Sequence, residues 1–71
     1  MNELSNEVKR AIIENEIAAV NQAIYTWVIR RRVAEKCDDT AGAEAAKKQL
    51  EILERKMDAF KEELNALAGA R

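Results

Sequence analysis

Apolar and polar positions follow a helical period along the whole chain, and the pattern breaks once. In the second half, Ala43, Ala46, Leu50, Leu53, Met57, Phe60, Leu64 and Leu67 recur at alternating intervals of three and four. This is the a/d repeat by which one helix winds against another. The remaining positions of that segment are largely charged. Glu44–Lys48, Lys47–Glu51 and Glu51–Arg55 stand four apart, a spacing at which opposite charges support a helix. Ile52 is the one large apolar residue off this seam.

The first half carries more apolar surface than one seam can use. Ile13, Ile17, Val20, Ile24 and Trp27 form a seam able to meet the second segment. A second stripe runs through Leu4, Val8, Ala11, Ala18, Tyr25, Ile29 and Val33, with Ile12 and Ala19 on its flank. A helix advances about 100° per residue, so Ile24 and Ile29 point roughly 140° apart. A single neighbouring helix cannot cover both.

The break is Cys37-Asp38-Asp39-Thr40-Ala41-Gly42. Asp and Thr are poor inside helices and good at their starts, where their side-chain oxygens accept unpaired backbone N–H groups. The pattern predicts a first helix over about 3–36, a turn over 37–40 and a second helix over 41–68. Asp39 or Thr40 is expected to cap the second helix, with Glu44 in or near its first turn. Gly69 is expected to stop that helix and Ala70-Arg71 to fray. Two long helices joined by so short a turn fold back antiparallel. That sets Trp27 level with Leu50 and Leu53, Val20 and Ile24 with Met57 and Phe60, and Ile13 and Ile17 with Leu64 and Leu67.

The expected fold is therefore all-α: one domain, 1–71, forming a two-helix antiparallel, coiled-coil-like hairpin. Self-association into a four-helix bundle would cover the second stripe, since monomers rarely leave such a patch in water. In that reading Leu4, Val8, Ile12, Ala18, Tyr25, Ile29 and Val33 form the interface, with the two first helices central. A homodimer is the first expectation, a tetramer the second, and a different protein covering the stripe the third. Asn21 is a candidate for setting the register of such a seam.

Composition sharpens this picture. The chain has 71 residues, 48% of them hydrophobic, with no proline and only Gly42 and Gly69. So little turn chemistry argues against a many-stranded fold, and so few residues give a lone core only about 3–5 kcal/mol. Histidine is absent, which removes the commonest general base and metal ligand. No phosphate loop, nucleophile elbow or zinc spacing is present, so neither an enzyme nor a cofactor is expected. The longest strictly apolar run, Ile17-Ala18-Ala19-Val20, is far short of the ~20 residues a bilayer needs. The opening residues are acidic, unlike a secretory signal, and the single Cys37 suits a reducing compartment. A cytoplasmic protein without a membrane partner is expected.

The densest charge cluster is Arg30, Arg31 and Arg32 with Lys36. Three successive helical residues fan over about 200°, so they cannot all face one surface. Their simpler role is to favour the end of the first helix through its dipole and to pair with Asp38, Asp39 or Glu44 around the turn. The alternative is a small regulatory RNA- or DNA-binding bundle that uses these four residues on phosphates, with Trp27 or Tyr25 stacking on bases. The first expectation is a non-enzymatic, homo-oligomeric hairpin acting through protein–protein contacts, in an assembly, scaffold or adaptor role.

Overall fold

The computed structural model describes residues 3–69, which form two helices and no strand. Helix α1 spans Asn6–Lys36 and helix α2 spans Thr40–Gly69. They pack side by side along their length as an antiparallel hairpin 55 Å long and 17 × 15 Å across. Among the described residues no helix is long and apolar enough to cross a membrane.

Local chemistry accounts for each boundary. Helix α1 begins later than the apolar pattern suggests because the Ser5 hydroxyl accepts the Val8 N–H at 3.2 Å, which makes Ser5 the cap. Leu4 therefore precedes α1 and does not lie on its stripe. At the other end the Cys37 N–H donates to the Val33 and Ala34 carbonyls, the Asp38 N–H to Glu35 and the Asp39 N–H to Ala34, the last at 2.8 Å. Asp38 has φ +56°, so this is a Schellman ending with aspartate in the left-handed position that glycine usually fills. The Asp39 side chain then accepts the Gly42 N–H at 2.9 Å and starts α2. Only Cys37–Asp39 separate the helices. Since α2 starts at Thr40, Glu44 falls one residue beyond its first turn. Helix α2 continues through Gly69, and the fraying expected at Ala70-Arg71 lies outside the described residues.

The buried interior is thin. Val20 and Ala34 from α1 and Ala46 and Met57 from α2 are buried. Ile13, Ile17, Ile24 and Trp27 are half-buried on α1, as are Leu50, Leu53, Phe60, Leu64 and Leu67 on α2. Ala46, at 1% exposure, is the most enclosed of the buried residues. Its counterpart near the turn is Ala34, so two small side chains fill the interior there. Farther out the interior is filled by the larger Val20, Met57 and Phe60.

Candidate interaction surface

With Ile13, Val20 and Trp27 in d positions and Ile17 and Ile24 in a positions, α1 places Ile12, Ala19, Thr26 and Val33 at c. They are seven residues apart throughout. The a and d seam of α2 likewise puts Ala45, Ile52, Ala59 and Ala66 at c, again every seventh residue. In an antiparallel pair the g edge of one helix lies beside the g edge of the other, and c lies next to g on the wheel. The two apolar columns therefore share one long flank of the hairpin. The seven-residue spacing of Ala45, Ile52, Ala59 and Ala66 was the sequence signal for this column. It is easily missed because three of the four are alanine.

The side chains bear this out at both ends of the flank. Near the open end, Lys9, Ile12 and Ile13 line a shallow hollow with Glu63, Ala66 and Leu67. Near the turn, Trp27, Ile29, Arg30, Val33 and Ala34 line another with Cys37, Asp39, Gly42 and Ala45. These shared walls set Ile13 level with Leu67, as the repeat requires. Thr26 adds no unmet polar group to the column, because its hydroxyl donates to the Gln22 carbonyl at 3.0 Å. The exposed large apolar residues include Ile12 at 48%, Val33 at 53% and Ile52 at 45%, all three on this flank.

The other stripe residues sit elsewhere. Tyr25 is 66% exposed at a b position, Val8 is exposed at f, and Ala18 is exposed beside Tyr25. Ile29 is half-buried and belongs to the wall of the turn-side hollow. Asn15, Asn21 and Gln22 are exposed, and Asn21 occupies the e edge, on the opposite side from the two hollows.

The arginine cluster splits as the helical fan requires. Arg30 lies over Trp27, its guanidinium carbon 4.7 Å from the ring centroid. Arg31 is half-buried and pairs with Glu35 at 3.7 Å. Arg32 and Lys36 are exposed. The expected pairing with Asp38, Asp39 or Glu44 does not form. Arg31–Glu35 is the only ion pair among the described residues, because Arg31 meets Glu35 one turn on, on its own helix, before reaching the loop. Glu44–Lys48, Lys47–Glu51 and Glu51–Arg55 also stay open, as exposed side chains gain little by closing in water. Cys37 is exposed at the end of α1.

The chain matches no protein-family model, no curated protein and no solved structure.

Proposed function

We propose that this chain is a small non-enzymatic hairpin protein that pairs with a second copy of itself and works through helix–helix contacts, in an assembly, scaffold or adaptor role. The observation that carries this reading is the uncovered apolar flank, where Ile12, Val33 and Ile52 stand in water beside an interior of only four buried side chains among the described residues. A second copy supplies the core that so small a hairpin lacks. The four-helix bundle and a cytoplasmic setting are part of the same proposal.

Light scattering on the purified chain at micromolar concentration tests it. A mass of twice 8.0 kDa is the expected result, and a monomer at that concentration refutes the proposal. If the chain instead binds RNA at low salt and loses that binding on Arg32→Ala and Lys36→Ala, the arginine cluster acquires the phosphate-binding role.

A further inference from the structure

We propose that the g/c flank is where the second copy docks, in an antiparallel arrangement that lays the turn end of one hairpin beside the open end of the other. The inference rests on the self-association reading and specifies its surface and direction. Charge distribution fixes the direction. The half of the hairpin nearer the turn, residues 23–57, holds eight basic and six acidic residues, a net of +2. The open half, 3–22 with 58–69, holds three basic and seven acidic, a net of −4. An antiparallel pair sets each positive half against a negative one, whereas a parallel pair stacks like on like.

Residue placement agrees. A two-fold axis crossing the flank beside Gln22 and Ala23 relates Ile12 of one copy to Val33 of the other, because their numbers lie equally far from that point. The same axis brings Glu16 opposite Arg30 of the second copy, and both are exposed g-position side chains. Ala19 and Ala23 lie at the crossing point, where small side chains permit close approach. The hollow holding Lys9 and Ile12 then sits over the second copy's hollow holding Val33 and Cys37. A face of 55 × 17 Å offers about 900 Å² per copy, against the ~800 Å² per partner of a standard stable interface.

Cys37 makes the arrangement measurable. Lys9 and Cys37 are 28 residues apart on α1, about 42 Å at the helical rise. The antiparallel dimer therefore holds its two Cys37 thiols about 42 Å apart, while a parallel dimer sets them side by side. With a short bismaleimide, the wild-type dimer is expected to give no Cys37–Cys37 product. The Lys9→Cys variant is expected to give a dimer linked from position 9 of one chain to Cys37 of the other. A Cys37–Cys37 product from a dilute wild-type dimer overturns the arrangement and leaves self-association standing, whereas a wild-type monomer by light scattering overturns both. Charge exchange is the independent check: Glu16→Arg weakens the dimer roughly tenfold, and adding Arg30→Glu restores it. A parallel pairing sets Glu63 of the second copy level with Glu16, so a dimer that tightens on Glu16→Arg, or a folded double variant in which Arg30→Glu restores no affinity, refutes the antiparallel form.

Discussion

The Arg30 guanidinium lies over the Trp27 indole, with 4.7 Å between its central carbon and the ring centroid. The contact joins the d position of α1 to its g edge and covers a ring that the hairpin only half buries. A cation over indole at an exposed site contributes about 0.5–1 kcal/mol. Arg30→Ala is expected to lose that amount in urea unfolding and to shift Trp27 fluorescence to the red as water reaches the ring. Arg30→Lys should recover only part of the loss, because an ammonium group does not lie flat on the ring.

The left-handed Asp38 gives a prediction of opposite sign. At φ +56° a side chain is strained and glycine is not. Asp38→Gly should raise stability by about 0.5–1 kcal/mol, read as a higher urea midpoint with an unchanged slope. Asp38→Val places a β-branched residue in the same conformation and should lower stability by more than the glycine raises it.

The cap that follows should be worth more than the cap at the far end. Asp39 accepts the Gly42 N–H at 2.9 Å in the connection on which the antiparallel fold depends. Asp39→Ala is expected to cost about 1 kcal/mol. Ser5 makes its corresponding bond at 3.2 Å at the first turn of α1, where fraying is cheap. Ser5→Ala should show as faster amide exchange over the first turn of α1, with little change in the global midpoint.

The hairpin was largely legible in the sequence because each of its determinants is local. The three-four spacing from Ala43 to Leu67 needs only α2, and the Asp38-Asp39 turn needs only caps. Leu4 was misplaced because an apolar residue two positions before the helix carries the same period as one inside it, and only the Ser5 hydroxyl decides the boundary. The shared flank was harder to see. Its apolar columns occupy two separate segments, and each looks weak alone, with Thr26 polar and Ala45, Ala59 and Ala66 small. They become one surface only when the antiparallel fold brings the two g edges together. The arginines failed for a related reason, since reach along the same helix from Arg31 to Glu35 at 3.7 Å wins over reach across a turn.

Tyr25 and Ile52 separate the two apolar surfaces experimentally. Ile52 lies on the shared flank and Tyr25 on a neighbouring side of α1, and both are exposed in the hairpin. Ile52→Glu should leave helicity near wild type while reducing the oligomer fraction in light scattering at equal concentration. Tyr25→Glu should change neither. Loss of the oligomer on Tyr25→Glu alone would move the interface from the flank to the outer stripe of α1.

Ala46 and Met57 test the interior from opposite directions, one by adding volume and the other by removing it. Ala46 is 1% exposed in the second turn of α2, close to the three-residue connection, so added volume has nowhere to go. Ala46→Leu should force the helices apart near the turn, cost about 1–3 kcal/mol and disturb the turn-side hollow first. Met57 is 7% exposed in the middle of α2, away from the turn. Removing its side chain to Ala leaves space that relaxation fills only in part, at about 2–5 kcal/mol for a buried site. Both figures are large beside the few kcal/mol a core of this size supplies, so each variant should be marginal as an isolated hairpin. Dimerisation stabilises only the folded form. The melting temperature of Met57→Ala should therefore rise with protein concentration more visibly than that of the wild type, which differential scanning at two concentrations would resolve.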